Sequence, residues 1–227
     1  MQKFAIRLIL FLSILIFTTQ NSIADTYPKR EMRSAWITPI NGNWPLSSER
    51  GTSSSFIQKQ KDHAIAIIEQ MKASGFNAII IHARPYSDRM YTKTSYTHNG
   101  TKYTISEPFS HYVSGTRGTE PTNYDPLAFW VEECHKRGME CHAWINPLRF
   151  CNTTKNATKP GWPCNSLSID TETWNNDWLI YQYQEEDDIT KFCFDPSVAG
   201  VRERINNVCI IIAGNYDVDG IVWDDYF

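Results

Sequence analysis

The chain has 227 residues, 41% of them hydrophobic and 21% charged, with a formal net charge of −3. That length suits one domain with a sizeable core, and the acidic balance leaves no basic stretch to neutralise phosphates, so nucleic acid is excluded as a natural partner.

The N-terminus carries Lys3 and Arg7 ahead of an apolar run, Leu8 to Phe17, that is too short to span a bilayer. Ser22 and Ala24 then suit a cleavage site before Asp25. This pattern predicts a secretory signal peptide over residues 1–24, export to the periplasm or beyond, and a mature domain over 25–227; an uncleaved anchor is the alternative. Losing Lys3 and Arg7 with the leader raises the acidic excess to five.

In chain order, "MRSAWIT" (Met32 to Thr38) is a first strand. "SFIQKQKDHAIAIIEQMKASG" is a helix with a Ser55–Gln58 capping box, a stripe of Ile57, Ala64, Ile67, Ile68 and Met71, and a stop at Gly75. "FNAIIIH" is a strand of the kind buried on both faces. "YDPLAFWVEECHKRG" is a helix capped by Asp125, with Pro126 in its first turn and Gly138 at its end. "MECHAWIN" is a third strand. "DPSVAGVRERINNVCIIIAG" is a helix with Asp195 as cap, a stripe of Val198, Val201, Ile205, Val208 and Ile212, and a stop at Gly214. "VDGIVW" is a fourth strand.

This alternation predicts an α/β fold with a parallel sheet. Helix-to-strand links are short. Strand-to-helix links are long, from about Ala83 to Asn123 and from Pro147 to Phe194, and rich in Tyr and Trp. The added sequence therefore lies at the carboxyl ends of the strands, the functional face of parallel α/β folds.

The strand ends carry Trp36; His82 and Arg84, followed by Tyr86; Trp144, Asn146 and Arg149; and Trp223, Asp224 and Asp225. Adjacent Asp224 and Asp225 must point to opposite sides of a strand. A pair that straddles a sugar needs roughly 5–10 Å between carboxylates, so the second acid has to come from another strand end. The acidic run Glu185 to Asp188 fits a solvated surface better. Cys151 and Cys164 bracket a proline-containing polar loop in an exported chain and are expected to pair as a disulfide, whereas Cys134, Cys141 and Cys209 fall on apolar faces as small buried side chains. A nucleophile elbow, a P-loop, a dinucleotide fingerprint and zinc spacing are all missing from the sequence, so neither cofactor nor metal is expected.

The segments "EMRSAWIT", "GFNAIIIHARPYSDRMY", "YDPLAFWVEECHKRGMECHAWINPLR", "FDPSVAGVRERI" and "YDVDGIVWDDYF" resemble, in order and spacing, the glycosyl hydrolase-like bacterial proteins related to family 10 glycosidases, once known only as a domain of unknown function. The resemblance runs from about Glu31 to Phe227. It implies an exported TIM (β/α)8-type barrel acting on a polysaccharide, with peptidoglycan glycan strands as the leading substrate and no membrane association after signal cleavage. On that resemblance the chain holds the first four strands and three helices, truncated at its C-terminus, and the second carboxylate lies beyond Phe227. Asp224 is then the expected nucleophile or electrostatic stabiliser, with Asp225 in reserve. Trp36, His82, Arg84, Tyr86, Trp144, Asn146, Arg149 and Trp223 are the expected substrate-binding set. A non-catalytic carbohydrate-binding protein on the same face is the rival; a deacetylase would need metal ligands that do not assemble.

Overall fold

The computed structural model describes residues 31–40, 42–154, 178–184 and 189–224. The leader, Asp225, the acidic run 185–188 and Cys164, the second partner of the expected disulfide, lie outside them. Cys134, Cys141 and Cys209 are free thiols.

The chain begins with β1 (Ser34–Ile37) and runs through α1 (Ser54–Ala73) into β2 (Ala78–Arg84). The long link that follows folds as a hairpin, β3 (Ser95–His98) and β4 (Thr101–Thr104), and a one-turn helix, α2 (His111–Ser114). Then come α3 (Pro126–Lys136) and β5 (Glu140–Ile145). The second long link supplies β6 (Arg149–Thr154), β7 (Leu179–Gln184) and β8 (Ile189–Phe194), before α4 (Ala199–Asn215) and β9 (Gly220–Trp223).

The four strands expected from the sequence form one parallel sheet in the order β1-β2-β5-β9. Sequential order with a helix between successive strands is the unit from which (β/α) barrels are built. The link strands pair among themselves, β3 with β4 and β6-β8-β7, all antiparallel.

Alternation along the strands divides the sheet into two faces. Ile37, Ile79, Ile81, Cys141, Ala143 and Ile145 lie buried on one, packed with Ala64 and Ile68 of α1, Trp130 and Cys134 of α3, and Val208, Ile211 and Ile212 of α4. The register aligns Trp36 with Ile80, Ile80 with His142, His82 with Trp144, and Trp144 with Val222, so these residues share the opposite face. There Trp36 is 46% exposed.

The local signals held with three exceptions. Asp125 caps α3, its carboxylate accepting from the Ala128 amide at 3.2 Å, and Gly75 and Gly138 take positive φ just past their helices. The Ser55–Gln58 capping box does not form: Ser53 is the N-cap, Ser55 bonds its hydroxyl, and Gln58 donates to Asp62. Asp195 turns the chain by accepting from the Ser197 amide, three residues ahead of Val198, the N-cap of α4. Nor does Gly214 stop α4; the helix runs to Asn215 and Tyr216 caps it.

The connections are locked by one buried ion pair. Arg84, at the end of β2, holds Glu107 with Nε 2.9 Å from each carboxylate oxygen and Nη2 2.6 Å from Oε1. Arg204 of α4 donates to the same Oε1 at 3.1 Å. Arg84 Nη1 also reaches the carbonyls of Asn146 and Pro147 beyond β5. Burial opposes charge on Glu107, but the two guanidiniums outweigh it and hold the carboxyl below its ordinary value of 4.5. Removing one partner of such a pair leaves charge buried and uncompensated, whereas the intact pair itself adds little net stability. Glu107→Gln is therefore expected to cost about 3–5 kcal/mol, read as a lowered urea midpoint. A midpoint within error of wild type would show that the pair is not needed to hold the connections.

Candidate functional site

At the carboxyl ends of the parallel strands, four side chains from four neighbouring strands form one row. The rings of His82 and Trp144 stack with centroids 3.7 Å apart and planes within 5°. Trp36 meets Trp144 edge-on, 4.8 Å between centroids at 83°. Trp144 Nε1 donates to Asp224 Oδ2 at 2.7 Å. Thr38 Oγ1, which accepts from the Ile40 amide, lies 3.0 Å from His82 Nδ1. The row exists because β1, β2, β5 and β9 are in register and Asp224, two residues beyond Val222, keeps to the same face as Trp144.

His82 is buried to 1% exposure. Burial is the main cause that pushes its imidazole well below the ordinary 6.5, with the Arg149 charge adding to it, so the ring is neutral at neutral pH. Tyr86 and Arg149 stand together beside the row. The Arg149 guanidinium lies 5.3 Å from the Tyr86 ring centroid, and Tyr86 also hydrogen-bonds Tyr112 of α2. Burial raises the Tyr86 phenol above its ordinary value, so it stays protonated.

Of the expected set, the structure brings together Trp36, His82, Trp144 and Asp224, with Tyr86 and Arg149 beside them. Three members belong elsewhere. Arg84 does not face the row. Pairing shifts between His82 and Arg84, so Arg84 aligns with Ile145 on the helix face and its guanidinium goes to Glu107. Asn146 is fully buried and ties a turn, its side-chain oxygen accepting from the Arg149 amide at 2.7 Å. Trp223 aligns with Ile145, and its side chain reaches Cys209 of α4. Thr38 was missed, although it ends the first predicted strand two residues past Trp36, the alternation that fixes a shared face. The β3–β4 hairpin was missed too, despite a clear signal: Asn99-Gly100, both at positive φ, between alternating residues. Among the described residues no cluster of His, Cys, Asp and Glu could hold a metal.

The sequence model described as glycosyl hydrolase-like 10 matches residues 31–227. The chain belongs to that family. Glycosyl hydrolase YngK of Bacillus subtilis is 32% identical over 206 residues, which is 90% of this chain and 35% of YngK. Glycosyl hydrolase DigH of Escherichia coli K12 is 28% identical over 217 residues, 92% of this chain and 44% of DigH. The chain thus spans less than half the length of either curated relative. A solved maltogenic α-amylase, AmyB of Thermotoga neapolitana, overlaps 86% of this chain and 38% of its own at 14% identity and a TM-score of 0.42, too distant to bear on the site.

The neutral histidine makes a prediction of its own. Because the folded-state value lies below 6.5, the unfolded chain takes up the proton first, and stability falls as pH drops below 6.5 until the buried ring also protonates. His111, also lowered chiefly by burial, adds to the same slope. His82→Phe should remove about one proton, or about 1.4 kcal/mol per pH unit, from the slope of unfolding free energy between pH 6.5 and 5. Equal slopes in variant and wild type would mean that His82 is not held neutral.

Proposed function

We propose that this chain supplies the substrate face of a glycoside hydrolase, with Asp224 as its nucleophile or charge-stabilising carboxylate. The observation that carries the reading is the bond from the Trp144 indole to Asp224 at the open end of the sheet. A carboxylate held there stands beside the Trp36 and Trp144 rings, a surface on which a sugar ring can stack. An ionised acid at that point can stabilise the positive charge that develops at an anomeric carbon, or attack it. Family membership and the names of YngK and DigH point to the same chemistry.

On this reading the sheet is half of a (β/α)8 barrel. Its helices cover one face only, and the row lies where a closed barrel would open to substrate. The second carboxylate comes from another strand end. Polysaccharide is the substrate class, with peptidoglycan glycan strands leading, and the leader at residues 1–24 accounts for export to where such polymers lie. Trp36, Tyr86 and Arg149 bind the sugar. The rival, carbohydrate binding without cleavage, draws on the aromatic content of the row, which among the described residues presents one acid.

The deciding comparison is turnover of purified glycan strands by the intact protein and its Asp224→Asn variant. Asparagine keeps the volume and removes the charge, so the fold and glycan binding should persist while turnover falls by at least about a hundredfold. Asp225→Asn should cost less. Near-wild-type turnover in Asp224→Asn would pass the role to another acid. Binding by the wild type without any turnover would establish the rival.

A further inference from the structure

We infer that His82 is a positioning residue for Asp224: its ring, stacked on Trp144, aims the indole N–H at the carboxylate. The inference rests on the reading of Asp224 as the acid of the site, and it gives His82 a different role from substrate contact, which its burial rules out.

The geometry leaves the indole little freedom. An aromatic side chain turns about two torsions, and a buried ring stays in one orientation only when neighbours block the others. Trp144 has His82 face-on at 3.7 Å and Trp36 edge-on at 4.8 Å. His82 is in turn set by the Thr38 hydroxyl, 3.0 Å from Nδ1, and by burial on all sides. The result is a chain of contacts across four strands, Thr38 to His82 to Trp144 to Asp224, ending in a bond of 2.7 Å to a carboxylate oxygen.

The charged groups acting on the imidazole are Arg149 and Arg84, both cationic, so a protonated His82 would meet repulsion as well as loss of solvation. A neutral ring can stack without bringing a positive charge to compete with the indole for Asp224. A hydrogen bond to the ionised form of an acid favours that form. The aim of the indole therefore bears on where the site carboxylate sits and on its charge state.

The test reads the indole directly, in the chain labelled with 15N-tryptophan. The Trp144 Nε1–H resonance, identified by its loss in Trp144→Phe, should move with pH as Asp224 titrates and stop moving in Asp224→Asn. His82→Phe keeps a flat ring under Trp144 and should preserve that titration. His82→Leu keeps apolar volume without the flat face and should shrink its amplitude by about half or more as the bond to the ionised acid weakens. A role confined to core stability would lower the melting temperature of both variants without separating them in this way. Loss of the titration in both variants, or in neither, overturns the inference.

Turnover in the intact protein separates this inference from the functional reading. His82→Leu should lower kcat by about ten- to a hundredfold with little change in KM. If the resonance behaves as expected while Asp224→Asn leaves turnover intact, the positioning stands and the catalytic assignment of Asp224 falls.

Discussion

The structure depends on keeping a buried charge neutralised. Glu107 sits in a link between secondary-structure elements, yet it is buried along with the guanidinium of Arg84. Taking both ions out of water is costly, and their attraction offsets that cost only with good geometry and further hydrogen bonds. Here the geometry includes a bidentate contact, a second arginine from α4, and two carbonyls beyond β5. These groups come from four segments: the end of β2, the link that holds Glu107, the turn after β5 and α4. The pair therefore contributes less to net stability than to uniqueness: it admits one arrangement of the link after β2, the turn after β5 and the helix before β9.

The same interaction decides what the row at the strand ends contains. Pairing slips by one residue between His82 and Arg84. Without that slip Arg84 would share a face with His82 and bring a permanent cation to the row. With it, the cation goes to Glu107 and the row remains two indoles, a neutral imidazole and an acid. The bulge is thus a local device that re-aims one side chain, a recurrent use of such irregularities near functional sites.

The fold was legible in the sequence because its signals are local and repeated. The β/α alternation, the Asp125 cap with Pro126 behind it, and the glycines at 75 and 138 each act within a few residues. Alternation alone showed that Asp224 and Asp225 cannot share a face, but placing Asp224 beside Trp144 needed the pairing register of β9 with β5. What was not legible depends on distant partners. Nothing in "HARP" indicates that Arg84 will be taken by an acid 23 residues later. Nothing in "WINPLR" indicates that Asn146 will be used up by its own turn. Strand-end position predicts proximity to a site, but the pairing slip and the buried ion pair decide orientation, and both are tertiary. The lost capping box has a related cause: Gln58 has Asp62 one turn on along its own helix and bonds it there.

The face of the sheet opposite the helices changes in character along the strands. Nearest the amino ends, Glu140 and His142 satisfy each other at 3.0 Å. Ile80, level with His142, and Val222, level with Trp144, are apolar. At the carboxyl ends come the rings and the acid. Val222, two residues before Asp224 on the same face, lowers the local dielectric on one side of the acid. The indole bond supplies a partner for the charge on another. That bond, 2.7 Å to Oδ2, fixes which way the carboxylate is turned. Direction, rather than burial alone, is what the four-strand row contributes: it turns an acid that many surfaces could carry into one with a fixed line of approach.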